Sequence, residues 1–492
     1  MRARRRIHRY LARRVQRSLS VNKPKMRRNG DTKQAPNKKE AVTINFSGKN
    51  ILVCGMARSG QSAAKLLIDL KANVVAQDLK EDIKWDYSPE EIKLNLYLGK
   101  NPDDIINKFD LIVISPGIPF DLPFLEKARS LNIPVWGETE LAYQMCPCPI
   151  TAITGTNGKT TVTTLTGDIM QRYYNTTKKD GKVVVAGNIG TPLTGHVQSL
   201  KKEDWVVAEI SSFQLETTHK FAPKISAVLN MTPDHLDRHK TMSIYQYTKE
   251  LIFANQLPED FAVLGFDNPI TRGMKPLCQV IYFSAKEKLS ENGVWLDNGM
   301  IKANIIGREV EVAYVNKTKI LPENALAATA LCLCAGVPTE IIAEALLDFK
   351  GVAHRIEYVN TINNIEFYND SKATNTDSAI KGLEAMQNPV VLIGGGYDKG
   401  ADFEDWVRKF PNKVKHLIVL GQVADQIIKT CDKLNFRQYE KVETLEDAVK
   451  IAYKKAQPGD SVLLSPACAS WDMFDNFEQR GELFKTCVAE LL

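Results

Sequence analysis

The chain has 492 residues, 44% of them hydrophobic and 25% charged, the balance of an ordinary globular protein rather than of a fibrous, disordered or membrane chain. That length is too great for one core and predicts roughly three domains of about 150 residues each. No stretch approaches the ~20 apolar residues that span a membrane, and the nine cysteines show no metal-like pairing. Cys146 and Cys148 flank a proline, and Cys332 and Cys334 lie in an apolar helical run, so both pairs are expected as buried thiols in a reducing cytosol.

The net charge of +6 is unevenly spread. Residues 1–30 carry ten Arg and two Lys with no acid, leaving 52 basic against 58 acidic residues in the remainder. The body is mildly acidic and the surplus belongs to the tail. Such an Arg-rich, acid-free segment suits a nucleic acid, an anionic membrane or an organellar presequence. The default expectation is instead a disordered extension over residues 1–45, or a start placed too early, with Met26 inside it. No apolar run follows the charges, so a secretory signal is not expected.

Ordered patterning begins near residue 46. In "ILVCGMARSGQSAAKLLIDLKANVVAQD" an apolar run, a glycine turn, a helix-period segment and a second apolar run ending in Asp78 make a βαβ unit. The turn reads G-x-A-x-x-G, with Ala57 where a dinucleotide fingerprint has its middle glycine. That leaves a nucleotide diphosphate at a helix N-terminus as the general reading and an NAD enzyme as a weaker one. The strand "LIVISPG" (111–117) ends in a second glycine turn, and "CPCPITAITG" (146–155) marks a boundary.

From that boundary the strand "ITAIT" runs into Gly155-Thr156-Asn157-Gly158-Lys159-Thr160-Thr161 and a long helix. Glycines let backbone N–H groups converge on phosphate oxygens, Lys159 supplies a point charge and Thr160 can reach a magnesium ion. This reads as a phosphate-binding loop, two residues shorter than the usual signature, which would place a glycine at position 153. "VVAEISSFQLE" (206–216) is a buried strand ending in Glu209, where a magnesium ligand would sit. "LNMTPDHLDRH" (229–239) is expected as another buried strand running into Asp234, His235 and Asp237, a group suited to a metal or phosphate. Lys249, in "YQYTKELIF", is expected by default as a solvated lysine. A third boundary falls at "FKGVAHRIE", beyond which come the strands 390–396, 416–421 and 461–466. Three successive α/β blocks follow, over 46–148, 149–350 and 351–492, each with its own parallel sheet. No internal repeat or low-complexity tract interrupts them.

The stretches GTNGKTT, SSFQLETT, TPDHLDRH, HRIE, FYNDSKATN, GGGYDKGADF and SPACASWDMFDNFEQRG resemble those of the Mur ligases of peptidoglycan synthesis, from about residue 46 to the C-terminus. NDSKATN and SPACASWD resemble the branch that adds D-glutamate. The resemblance implies a Rossmann-like UDP-binding domain, a central P-loop-type ATPase domain and a Rossmann-like C-terminal domain. It implies ATP-driven amide formation through an acyl phosphate, joining D-glutamate to UDP-N-acetylmuramoyl-L-alanine, by a monomer in the cytoplasm with no nucleic-acid partner.

By motif position, Arg58, Ser59, Asp78, Lys80 and Gly117 would hold the UDP moiety and Asn188 the muramoyl part. Relatives of this kind often have Leu-Thr at Arg58-Ser59 and Thr-Arg at Leu79-Lys80, so what carries over there is the backbone. Thr160, Glu209 and His235 would surround two magnesium ions, with Lys249 as the lysine carbamylated in this family. Asn324 and Arg355 would reach ATP, with Asp370 and Lys372 completing the nucleotide site. Thr374, Lys399, Ser470 and the backbone near Phe477 match the D-glutamate site. Rival readings are a sister ligase adding another amino acid, an NAD-dependent oxidoreductase built on the first βαβ unit, and a nucleic-acid-binding NTPase recruited by the tail.

Overall fold

The computed structural model describes residues 44–491 apart from Glu291, Ile306, Asn316, Lys317, Lys319 and Lys399. The expectations for the basic tail lie outside the described residues except at its last two positions. The first sheet is built from β1 (Asn50–Cys54), β2 (Asn73–Asp78), β3 (Asn95–Leu98), β4 (Leu111–Ile114) and β5 (Val135–Gly137), in the order β3-β2-β1-β4-β5. All its pairings are parallel. β1 and β4 are near-continuous apolar runs because helices cover both faces of such a sheet. The first of these helices, Arg58–Asp69, turns Ala63, Ala64, Leu66 and Leu67 inward.

The second sheet has nine strands: β6 (Ile150–Thr154), β7 (Val183–Gly187), β8 (Trp205–Glu209), β9 (Ile225–Val228), β10 (Phe261–Gly265), β11 (Gln279–Ser284), β12 (Gly293–Asp297), β13 (Met300–Ile305) and β14 (Arg308–Tyr314). Their order is β14-β13-β12-β11-β10-β9-β6-β8-β7. The third sheet holds β15 (Glu357–Ile362), β16 (Ile365–Asn369), β17 (Val390–Gly395), β18 (Val414–Leu420), β19 (Tyr439–Lys441) and β20 (Ser461–Leu464), in the order β15-β16-β20-β17-β18-β19.

The expectation of wholly parallel sheets fails at two edges. β12, β13 and β14 pair antiparallel, and so do β15 and β16. Both β12–β13 and β15–β16 close through two-residue turns, Asn298-Gly299 and Asn363-Asn364, with positive φ at both positions. Such turns match the strand twist, and Asn and Gly tolerate the left-handed conformation they require. The stretch 229–239 is likewise not a strand: the strand ends at Val228 and the residues beyond leave the sheet.

The chain divides into two compact units. One runs to Met231 and resumes over Thr241–Phe349; the other takes Thr232–Lys240 with Lys350–Leu492. In the first, the first two sheets share an apolar cluster that includes Leu67, Leu141, Leu193 and Val206. In the second, Leu392, Trp406, Phe410 and Leu417 pack one face of the sheet, and Phe367, Ile393, Leu464 and Phe484 the other. No helix among the described residues is long and apolar enough to cross a membrane.

Candidate active site

β6 is buried along its whole length and delivers the chain to the phosphate loop at the sheet's C-terminal edge. An 18-residue helix, Lys159–Thr176, opens on the far side, with Gly158 as its N-cap. Gly158 has φ 82°, and a Cβ there would meet the Asn324 side-chain oxygen at 2.5 Å, so glycine is required on two counts. The helix N-terminus aims its first N–H groups and a partial positive charge at whatever the loop holds. Asn230 braces the loop: its side-chain oxygen accepts from Asn157 N (2.8 Å), its amide donates to the Asn157 carbonyl (3.1 Å), and its own carbonyl accepts from Thr156 N (3.0 Å).

Two lysines converge on this loop. Lys159 Nζ donates to the Gly155 and Thr156 carbonyls at 3.0 and 2.8 Å. Lys249, on the helix Met242–Glu250, is only 1% exposed, which overturns its reading as a solvated lysine. Its Nζ donates to the Gly155 carbonyl (2.9 Å) and the Thr154 hydroxyl (3.2 Å) and lies 4.8 Å from the Tyr245 ring centroid. The Tyr245 hydroxyl in turn meets Thr156 Oγ1 at 3.3 Å. Burying an amine costs several kcal/mol unless polar partners surround it, and here they belong to the loop.

Glu209 ends β8 one strand away, with Ile153 of β6 as its register partner. One carboxylate oxygen accepts from the Asn188 amide at 2.8 Å; the other is buried with no hydrogen-bond partner. Gly187 makes the Asn188 approach possible, because it has φ 108° and a Cβ there would overlap the Glu209 carbonyl. The orphaned oxygen fits a hard cation, which takes oxygen ligands and shares them with substrate phosphates. Thr160 and Thr161 are buried at the start of the helix. Among the described residues no three His, Cys, Asp or Glu side chains form a metal cage.

In the first sheet the Asp78 carboxylate is taken up by backbone: it accepts from Met56 N (2.6 Å) and Lys80 N (2.9 Å), fixing the turn after β1. The Ser115 hydroxyl donates to the Gly55 carbonyl at 2.7 Å. Arg58 is exposed and its guanidinium donates to the Gly190 carbonyl; Ser59 is half-buried beside it, while Lys80 and Gly117 are exposed. A cavity of about 660 Å³ runs from Arg58 and Gln61 to Thr191 and His196.

The second unit gathers another set. Asp370 is fully buried, accepts from the Ser465 hydroxyl (2.9 Å), and lies 3.8 Å from the Arg355 guanidinium. Burial pushes its pKa up to about 6, against the pull of Arg355. Arg355 also donates to the Ser378 hydroxyl. Lys372 lies 4.8 Å from the Phe477 ring centroid, and Thr374 N bonds the Lys372 carbonyl at 2.9 Å. Ser470 is buried and its carbonyl accepts from Met473 N and Phe474 N. Lys399 lies outside the described residues. His235 belongs to this unit, with a left-handed φ of 53° and its N–H on Asp234, whose other oxygen accepts from Asn375 at 3.1 Å.

Three residues of these sites escaped the sequence reading. Asn230 had no cue beyond its place after a strand. Tyr245 stands four residues before Lys249 on one helix, which puts both on one face. Arg480 is a charged residue three positions into the last helix. It is 3% exposed and bonds Ser371 Oγ (3.0 Å), the Ser371 carbonyl (2.9 Å) and the Cys468 carbonyl (3.1 Å).

A mostly parallel sheet carrying a glycine-and-lysine loop at a helix N-terminus, a second lysine beneath it and an acid at the next strand end is the arrangement of a nucleotide-dependent enzyme. Family models narrow this. The Mur ligase middle domain matches residues 153–332, the Mur ligase glutamate ligase domain 354–468, and the Mur ligase MurD-like N-terminal domain 49–137. The chain therefore belongs to the Mur ligase family, the ATP-dependent amide-forming ligases.

It is 47% identical over 460 residues to the UDP-N-acetylmuramoylalanine--D-glutamate ligase of Thermoanaerobacter sp. (strain X514), covering 91% of this chain and 100% of that one. The enzyme of the same name from Lachnospira eligens is 44% identical over 91% of this chain and 100% of its own. Among solved structures, the UDP-N-acetylmuramate-alanine ligase of Thermotoga maritima superposes with a TM-score of 0.56 at 18% identity, over 90% of this chain and all of that one. The MurF ligase of the same organism, in complex with ADP, gives 0.54 at 15% over 92% and 100%. The oxidoreductase reading of the first βαβ unit falls with this assignment.

Proposed function

We propose that this chain joins D-glutamate to UDP-N-acetylmuramoyl-L-alanine at the expense of ATP, a step of peptidoglycan synthesis carried out by a monomer in the cytoplasm. The observation that carries this reading is that relatives 47% and 44% identical over 91% of the chain are UDP-N-acetylmuramoylalanine--D-glutamate ligases. The geometry supports the chemistry. The alanyl carboxylate attacks the γ-phosphorus of ATP and ADP departs, leaving an acyl phosphate. The amine of D-glutamate then attacks the acyl carbon, phosphate leaves, and the amine proton passes to solvent.

Gly155–Thr161 would cradle the ATP phosphates, with Lys159 leaving the loop carbonyls to meet them. Preorganised N–H donors and a cation in a dry site stabilise charge on the transferring phosphoryl group. Asn324, against Gly158, and in the second unit Arg355, Asp370 and Lys372, are assigned to the nucleotide. Glu209 and Thr160 would hold magnesium, whose role when bound is to offset phosphate charge; His235 is assigned to the same purpose. Lys249 is assigned as a carbamate: its neutral amine adds carbon dioxide and gives up a proton to solvent, which reverses the sign of the group and supplies two oxygens. Arg58, Ser59, Asp78, Lys80 and Gly117 would take the UDP moiety, largely through backbone, and Asn188 the muramoyl part. Thr374, Ser470, the Phe477 backbone and Lys399 would hold the two carboxylates of D-glutamate.

The experiment is phosphate release from ATP with UDP-N-acetylmuramoyl-L-alanine and a panel of L- and D-amino acids. D-glutamate should be the one acceptor that turns over well. Preference for any other amino acid would assign the chain to a sister activity.

A further inference from the structure

Cys146 Sγ lies 3.6 Å from Cys148 Sγ and 3.5 Å from the Cys148 carbonyl oxygen. Cys146 caps the C-terminus of the helix Glu138–Met145 and is half-buried; Pro147 is exposed, and Cys148 is buried. Immediately beyond, the Pro149 carbonyl accepts from Val206 N at 3.0 Å, and β6 runs from Ile150 to the phosphate loop. The pair therefore sits on the single connection between the first sheet and the strand that carries the nucleotide site. A small apolar hollow beside Cys146 is lined by Tyr143, Ile150, Leu193 and Val197.

We propose that Cys146 and Cys148 are a modification site, closing to an intra-loop disulfide under attack by a low-molecular-weight disulfide and thereby slowing the ligase. A disulfide needs its sulfurs at 2.03–2.05 Å, so closure asks for an approach of about 1.5 Å across the single intervening residue, Pro147. Cys146 is the more accessible sulfur. Cys148 is held protonated, first by its contact with Cys146 and then by burial, so the attack begins at Cys146.

The Cys146 thiolate displaces one thiol from the small disulfide, giving a mixed disulfide. Cys148 gives up its proton to solvent, attacks the Cys146 sulfur and expels the second thiol. The two protein thiols are oxidised by two electrons, and the small disulfide is reduced to two thiols. So short a ring is strained, and strained disulfides are the readily reduced, regulatory kind. Closing it stiffens the joint ahead of β6 and draws on the Pro149–Val206 pairing, which bears on the phosphate loop and on Glu209 at the end of β8.

The test is equilibration of the whole protein in glutathione buffers from fully reduced to fully oxidised, followed by alkylation and peptide mass mapping. In parallel, ATP-dependent phosphate release is measured. We expect the peptide bearing Cys146 and Cys148 to lose two hydrogens and escape alkylation, with most turnover lost and restored by dithiothreitol. Cys146→Ser should keep reduced-state activity and become insensitive to oxidant. Cys148→Ser should stop at a glutathione adduct on Cys146. The disulfide is read by mass independently of the substrate assigned above. Two thiols that remain alkylatable in oxidised glutathione, or a disulfide that forms without loss of turnover, would overturn the proposal.

Discussion

Lys249 shows how strongly one buried side chain constrains the chemistry. An amine 1% exposed, hydrogen-bonded to the floor of a phosphate loop, is a poor neighbour for magnesium unless its charge is reversed. The assigned carbamate predicts that Lys249→Ala loses most activity and that formate or acetate partly restores it by filling the anion position. Lys249→Arg should be equally impaired, because arginine keeps its charge and forms no carbamate; a fully active arginine variant would sink the assignment. Lys159→Ala tests the neighbouring lysine. Acyl-phosphate formation should vanish while UDP-sugar affinity measured without ATP stays close to wild type, since the residues assigned to UDP belong to the elements around the first sheet.

Asp370 yields a pH prediction with a defined sign. Its folded pKa of about 6 lies above the ordinary value of 3.8. Proton binding to the native state therefore adds stability that is complete below the ordinary value and is lost as pH rises through about 6. Ionised at pH 8, the buried carboxylate costs about 3 kcal/mol. Chemical denaturation of wild type and Asp370→Asn should show the difference between them shifting in favour of wild type as pH falls from 7 to 4. A pH-independent difference would mean that Arg355 fully offsets the burial.

At the scale of elements, three buried side chains tie separate segments together. In the helix Glu138–Met145, the Glu140 carboxylate accepts from the backbone N–H groups of His219 (2.7 Å), Lys220 (2.9 Å) and Phe221 (3.2 Å). Its neighbour Glu138 accepts from Thr194, and burial raises its pKa. Glu140→Ala should cost roughly 2–3 kcal/mol by orphaning those donors, read as a lowered denaturant midpoint. Arg480 does the same for the loops of Ser371 and Cys468 in the second unit. Arg480→Lys, which keeps the charge but loses the fork, should raise the KM for the amino acid more than it changes the KM for ATP.

Much of this was legible. The apolar runs gave β1, β4, β6 and β17 because a strand covered on both faces must be apolar throughout, and the loop 155–161 gave the nucleotide site because glycine, lysine and hydroxyl spacing is local chemistry. The antiparallel edges were not legible, because the α/β rhythm continues on either side of the Asn298-Gly299 and Asn363-Asn364 turns. The burial of Lys249, the orphaned oxygen of Glu209 and the network of Arg480 were not legible, since each depends on segments many residues away in sequence.

For the whole molecule, the catalytic assignments all fall within the body, and the basic surplus lies ahead of it. A chain beginning near residue 41 should therefore keep full ligase activity; a collapse of activity with the fold intact would give the tail a role. The central claim concerns which two substrates the ATP-driven chemistry joins. Its most direct test is ATP-dependent phosphate release with UDP-N-acetylmuramoyl-L-alanine, D-glutamate compared with L-glutamate and other amino acids at equal concentration. The account predicts turnover that requires D-glutamate and yields its amide with the nucleotide sugar. Equal or better turnover with another amino acid, or phosphate release that ignores the amino acid altogether, would contradict it.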